Sequence, residues 1–345
     1  MKTYDVTALG ELLIDFTENG VSAQGNPLME ANPGGAPCNV LAMLKRLSKK
    51  TAFIGKIGED IFGKQLKTAL RDVGIDTRGL KESKEVRTTL AFVHTMEGGD
   101  REFSFYRNPG ADMALEEEDL DEALIRESRI FHYGSLSMTH ESCRLATRRA
   151  IEVAEESGAV LSFDPNLRES LWASLEDARE QILYGMSHCQ ILKISDNEIQ
   201  WLTGEEDFDK GIDWIRARFS IPLILLSMGK DGSRAYAEGK RVEVPAFVQD
   251  KTVETTGAGD TFCACVLNYV LENLLAGEWP EEAEEAEGSR NRFAERCKAC
   301  AEERLGEMLR FANAAASIVT TKKGALRVMP EREEVEAFLT ERHGN

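Results

Sequence analysis

The run PLILLSMG, residues 222–229, has the form of a buried strand closed by a polar turn. Leu223 to Leu226 offer no polar face, and Ser227 and Gly229 end the run. Five other stretches share this shape: VTALG (6–10), AFIGKIG (52–58), RIFHYGS (129–135), AVLSFDPN (159–166) and QILKIS (190–195). Amphipathic stretches lie between them, among them APCNVLAMLKRLS (36–48), IFGKQLKTALRDVG (61–74) and SCRLATRRAIEVAEESG (142–158). Such alternation predicts an α/β fold, a mainly parallel sheet with helices on both faces. Ligands of such a sheet bind beyond the carboxyl ends of its strands.

One segment breaks the pattern. RTTLAFVHT (87–95) and REFSFYR (101–107) are joined by Met96-Glu97-Gly98-Gly99-Asp100, which reads as a β-hairpin with a glycine loop. Phe103, Phe105 and Arg107 would share one face of its second strand. The stretch from Asp15 to Asn32 is also non-helical and rich in Gly and Asn. Together these predict a small β-sheet lid, drawn from about residues 12–33 and 86–112, on a single domain spanning 1–345. An edge hairpin of the main sheet is the alternative.

The chain has 345 residues and a formal net charge of -18. That charge repels nucleic acid and anionic membrane surfaces, so neither is expected as a partner. No run approaches the ~18 apolar residues of a membrane span. Seven scattered Cys point to reduced thiols and a cytoplasmic location. Cys297 and Cys300 form one C-x-x-C, with no second pair at a zinc-site spacing, and read as helix residues. MKTYDVTALGELLIDF carries Asp5 and Glu11 within its apolar run, which suits a strand better than a signal peptide. Residues 276–306 are mostly charged and predict a solvated helix pair or a mobile insertion.

The chemistry begins at ETTGAGDTF, residues 254–262. Gly257, Ala258 and Gly259 precede Asp260, and the apolar FCACVLNYVLENLL follows from Phe262. Small residues at a helix N-terminus leave N–H groups open to an anion. Asp260 is then either a cap or a base. PGGAPCNVLAMLKRL (33–47) places Gly34-Gly35 before a helix and Asn39 one turn into it, and the diglycine permits close backbone approach. SFDPNLR (162–168) closes a strand with Asp164 and Arg168, either a structural pair or part of a site. GEDIFGKQ (58–65) almost fits a phosphate loop, but it lacks the final hydroxyl and carries Glu59 and Asp60. A G-x-G-x-x-G after the first strand is absent, which argues against a dinucleotide fold.

These pieces together resemble the ribokinase-like (PfkB) sugar kinases. PGGAPCNVLAMLKRL is similar to the family's N-terminal motif and TTGAGDTF to its C-terminal one. GELLIDF, GKIGEDIFG, REFSFYRNPGADM, FHYGSLSM, SFDPNLRESLW and FANAAASIVTTKKGA look like fructokinases in particular. The resemblance spans nearly the whole chain except 276–306. It implies a three-layer αβα sandwich with a β lid.

It also implies roles. Asp260 would be the base for the sugar hydroxyl, and the amides of Gly257, Ala258 and Gly259 an anion hole. Asp15, Gly34, Gly35, Asn39, Phe105, Arg107 and Arg168 would form the substrate side. Ser227, Gly229, Gly232, Gly257, Gly259 and Asn313 would form the ATP side. Magnesium would be held through water by Glu198, although Ser195 stands where the family often has Asn. Glu254 stands where the family usually has Asp beside a monovalent-cation site, which puts potassium in doubt. The activity implied is ATP-dependent phosphorylation of D-fructose. Its rivals are 2-keto-3-deoxygluconate kinase, which needs a cationic contact from Arg107 or Arg168, and a non-catalytic sugar-binding relative, which has no need of the intact GAGD. A homodimer is left open.

Overall fold

The computed structural model describes residues 2–95, 101–276 and 286–343. In chain order its strands are β1 (Tyr4–Leu9), β2 (Leu13–Val21), β3 (Pro27–Gly34), β4 (Thr51–Gly58), β5 (Asp76–Ser83), β6 (Leu90–Thr95) and β7 (Arg101–Tyr106). There follow β8 (Ser128–Gly134), β9 (Val160–Asp164), β10 (Ile191–Ser195), β11 (Leu223–Ser227), β12 (Ser233–Ala237) and β13 (Lys240–Val244). The large sheet runs β13-β12-β11-β10-β9-β8-β1-β4-β5. From β11 to β5 every pairing is parallel, while β12 and β13 are antiparallel.

The apolar run that opened the sequence explains the layering. Successive side chains of a strand point to opposite faces. Leu223 and Leu225 of β11 enter one hydrophobic cluster, and Ile224 and Leu226 enter the other. The first cluster includes helices Ala36–Arg46, Ala258–Tyr269 and Glu302–Val319; the second includes Glu141–Glu156 and Leu175–His188. A strand sandwiched between two helical layers is apolar throughout, which is why β11 shows no alternation.

The second sheet is separate from the first, with order β3-β2-β6-β7. It is therefore not an edge hairpin of the main sheet. Its second strand ends at Tyr106, so Arg107 follows the strand rather than sharing its face. The joining residues Met96 to Asp100 and the side chain of Phe103 lie outside the described residues. Phe16 of β2 stacks on Phe92 at 4.9 Å and meets Phe62 edge-on at 5.6 Å, which ties this sheet to helix Ile61–Val73.

Asp60 in GEDIFGKQ caps that helix. Its Oδ1 accepts from the Gly63 N–H, and its Oδ2 accepts from Thr88 N–H at the base of β6. The stretch that imitates a phosphate loop is thus a cap and a root for the small sheet.

Part of the charged stretch 276–306 departs from the expected solvated form. Helix Ala286–Ala299 buries Phe293 and Cys297 in the first cluster, and Cys300 follows them inward. Residues 302–306 already belong to helix Glu302–Val319. The seven Cys are free and buried. Among the described residues, no helix is long and apolar enough to cross a membrane.

Candidate active site

Asp260 lies in the first turn of helix Ala258–Tyr269, whose N-cap is Gly257 at φ 79. No side chain caps this helix. The Thr261 N–H reaches Gly257 O at 2.8 Å, and the Ala258 N–H reaches Thr255 O at 3.2 Å. Among the described residues the Gly257 and Gly259 N–H groups have no backbone acceptor. The two glycine amides are thus available to an acceptor from outside the turn, whereas the Ala258 amide is engaged within it.

Asp260 is not the cap. Its Oδ2 accepts a 2.8 Å hydrogen bond from the Asn39 amide, which comes from helix Ala36–Arg46. Burial raises the Asp260 carboxyl above its ordinary pKa, while the Asn39 hydrogen bond, Lys193 and Arg168 pull it down. Asn39 Oδ1 is buried without a donor among the described residues.

The diglycine before Asn39 is required by contact. A Cβ on Gly34 would lie 2.1 Å from Asp15 Oδ2. Gly35 has φ 128, and a Cβ there would lie 2.3 Å from the Glu11 carbonyl oxygen. The two residues let β3 pass against Asp15 and turn into the helix.

Asp15, Gly35, Asn39, Phe105, Arg168, Gly257, Gly259 and Asp260 line one cleft of about 410 Å³. The cleft joins the small sheet to the carboxyl ends of the large one. Sequence reading missed several of its lining groups. Lys193, in the middle of the apolar run QILKIS, points to Asp164 Oδ2 at 3.0 Å. A Cβ on Gly259 would lie 3.3 Å from its Nζ, so the ammonium borders the helix terminus. Burial opposes its charge, but Asp164 and Glu198 outweigh burial and hold Lys193 protonated. The signal available was a lysine inside a strand that is otherwise apolar.

Glu11 was read only as evidence for a strand. Its Oε1 accepts the Ala36 N–H at 2.8 Å, and burial pushes its carboxyl up to about 7. Asn166 also lines the cleft, at φ 47.

Arg107 is placed elsewhere. Its Nε donates to Asp112 Oδ2 at 2.7 Å, its Nη1 to Thr139 at 2.8 Å and its Nη2 to Leu136 O at 3.0 Å. It borders an adjoining cavity of about 480 Å³ that shares Phe105 with the main cleft.

Of the residues assigned to the nucleotide, Gly257 and Gly259 line the main cleft, whereas Ser227, Gly229, Gly232 and Asn313 lie outside it, along β11–β13 and the helix packed on them. Ser227 ends β11 in register with Ser195 on β10 and Ser233 on β12. Gly232 has φ 104, and a Cβ there would meet Val244 O at 2.2 Å. Gly229 opens the intervening turn at φ 53. Asn313 uses three of its four hydrogen-bonding positions: it donates to Val244 O and Pro245 O, both at 3.1 Å, and accepts from Ser233 Oγ at 2.8 Å. It pins helix Glu302–Val319 to the antiparallel edge.

Glu198 forms a capping box with Ser195, whose N–H and hydroxyl both reach Glu198 Oε2 at 2.8 Å. Leu167 N–H reaches Glu198 Oε1 at 2.8 Å. Three donors leave one of about four lone-pair sites, room for one metal-bound water. Among the described residues no three His, Cys, Asp or Glu side chains group as a metal cage. Magnesium needs none when phosphates and water fill its shell, so the residues present fit it as an ion carried on the nucleotide.

Comparison with known proteins identifies the family. Residues 4–332 match the pfkB family carbohydrate kinase profile, and the chain belongs to that family. It is a sugar kinase with the ribokinase-like fold. It is 42% identical to probable fructokinase-2 of Arabidopsis thaliana, over 97% of this chain and 95% of that one. The crystal structure of fructokinase with bound ATP from Xylella fastidiosa is similar at a TM-score of 0.85 and 28% identity, covering 99% of this chain and 100% of that one. A fructokinase double mutant from Vibrio cholerae O395, in a fructose, ADP and potassium ion bound form, matches at 0.81 and 27%, covering 98% and 99%.

Proposed function

We propose that this chain transfers the γ-phosphoryl group of ATP to the primary hydroxyl of D-fructose, giving fructose 6-phosphate and ADP. One observation carries the reading: the Asp260 carboxylate stands beside the open Gly257 and Gly259 amides, inside a cleft walled by Asp15 and Asn39. The base and the anion site are then within one helical turn.

In this reading Asp260 accepts the hydroxyl proton as the sugar oxygen bonds to the γ-phosphorus. The bond from that phosphorus to the bridging oxygen of ADP breaks. The glycine amides and the Lys193 ammonium stabilise charge on the transferred group, and Asn39 holds Asp260 in line. Asp15, Asn39 and Arg168 orient the hydroxyls, and Phe105 covers the ring. ATP lies along Ser227, Gly229, Gly232 and Asn313. Glu198 would hold magnesium, which when bound would supply positive charge against the phosphates. The reading includes a cytoplasmic location.

The fructose assignment has support from the relatives. A keto acid needs a cationic partner; all three nitrogens of Arg107 are committed to Asp112, Thr139 and Leu136 O, so of the two arginines that partner would have to be Arg168 on the cleft wall. The test is kcat/KM for fructose against 2-keto-3-deoxygluconate and ribose at one salt concentration. Fructose should lead by at least tenfold, and a lead for the keto acid would overturn the substrate while leaving the fold. Asp260→Asn should lower kcat by roughly 10²–10⁴ with ADP binding retained, the usual worth of a positioned base. Near-normal turnover would remove Asp260 from the mechanism.

A further inference from the structure

Glu254 precedes the glycine turn by three residues and is buried. The chain there is tied to the turn that follows helix Glu302–Val319. The N–H groups of Val253 and Glu254 both donate to Thr320 O, at 2.8 and 3.1 Å. The Glu254 side chain makes a third link, its Oε2 accepting the Gly324 N–H at 2.8 Å. Gly324 has φ 84, so the turn presents this amide from a left-handed residue.

The same turn supports the anion site. A Cβ on Gly257 would lie 2.8 Å from Ala325 Cβ, so Gly257 and Ala325 are in close contact. Whatever fixes residues 320–325 against Glu254 therefore also fixes the amide at Gly257. In a related fructokinase a potassium ion is bound, and the family resemblance places an aspartate beside such an ion at this position.

The Gly324 amide competes with that ion for the Glu254 carboxylate. An amide N–H aimed at the carboxylate brings partial positive charge to the place where a cation would gather oxygens. The extra methylene of glutamate lets the carboxylate reach the amide directly, which an aspartate on the same backbone would do less readily. Burial strengthens such a charge-assisted bond.

We infer that the Glu254–Gly324 hydrogen bond takes the place of a monovalent cation, so that this chain holds its anion site without potassium. Glu254 is then a positioning residue acting through Gly257. The inference rests on the kinase reading only for its kinetic arm, because folding and nucleotide binding report on it separately.

The test uses the full chain in potassium, sodium, caesium and choline chlorides at equal ionic strength. Melting temperature, ADP dissociation constant and fructose kinetics are read in each. The wild type should vary by less than about twofold in affinity across salts, with one melting temperature. Glu254→Asp should acquire a saturable potassium response, weakening ADP at least tenfold in choline and recovering in potassium. Glu254→Gln keeps an acceptor for the Gly324 amide and should stay flat across salts. It serves as the second variant if Glu254→Asp fails to fold. A saturable potassium effect on the wild type would overturn the inference. So would Glu254→Asp remaining flat, or Glu254→Gln gaining potassium dependence. Absence of fructose turnover, with the binding and melting results as expected, would remove the fructose reading and leave the structural substitution intact.

Discussion

The Asn39 amide donates to Asp260 Oδ2 across 2.8 Å, joining two motifs 221 positions apart. The bond lowers the Asp260 pKa against the rise that burial causes. A base acts when ionised, so rate is lost as pH falls through its pKa. Asn39→Ala removes the donor and lets the carboxyl rise further. The acid limb of kcat/KM should therefore move to higher pH, with the deficit greatest at acid pH and shrinking as pH rises. Loss of a sugar contact alone would give a pH-independent deficit. Parallel profiles for mutant and wild type would separate Asn39 from the ionisation of Asp260.

Gly34 and Gly35 should fail differently although they are neighbours. The clash at Gly34 is with the end of the Asp15 side chain, which can swing aside. Gly34→Ala should then raise the fructose KM several-fold with little change in melting temperature. At Gly35 the clash is with the Glu11 backbone, and φ is 128. Gly35→Ala should cost roughly 1–3 kcal/mol in strain, which lowers the melting temperature by several degrees. Thermal melts and fructose saturation curves on both variants decide this, and equal melting losses would refute the distinction.

The large sheet was legible because burial on both faces writes itself as unbroken apolar runs, as in β11. The small sheet was legible through its glycine loop and alternating aromatics. The Asn39–Asp260 bond was not, because a tertiary hydrogen bond leaves no periodicity in either segment. Lys193 was missed for a related reason. It interrupts QILKIS once, and only the fold shows that Asp164 on the neighbouring strand neutralises it. Arg107 reads as a hairpin residue by spacing, but the strand ends one residue earlier and the side chain turns inward to Asp112.

The charged stretch near residue 290 carries one side chain that folding depends on. Phe293 is fully buried in the cluster that also holds helix Ala258–Tyr269. Truncating a buried Phe to Ala typically costs about 3–5 kcal/mol. Phe293→Ala should lower the melting temperature accordingly, while kcat/KM per folded molecule is kept because Phe293 does not line the Asp260 cleft. Denaturant melts with activity normalised to folded protein check both halves. An unchanged midpoint would return the whole stretch to the status of a solvated excursion.

Arg107 offers the sharpest separation between holding a fold and touching a substrate. Its side chain and that of Asp112 are 4% and 2% exposed, and their contact is 2.7 Å. Asp112 also accepts from the Thr89 hydroxyl at the start of β6, so the pair links the base of the small sheet to the turn at Leu136. Breaking a buried pair leaves one charge unpaired, at a cost of about 3–5 kcal/mol, whereas replacing both partners by apolar groups is often neutral. Arg107→Ala should therefore destabilise strongly. The double variant Arg107→Met with Asp112→Leu should recover most of that loss. If Arg107 acts only through the pair, the double variant should also recover fructose kcat/KM to within a few-fold of wild type. If Arg107 contacts the sugar, stability should return while KM stays raised. Denaturant midpoints and fructose saturation curves on the three proteins distinguish these outcomes, and recovery of stability without recovery of KM would restore Arg107 to the substrate wall.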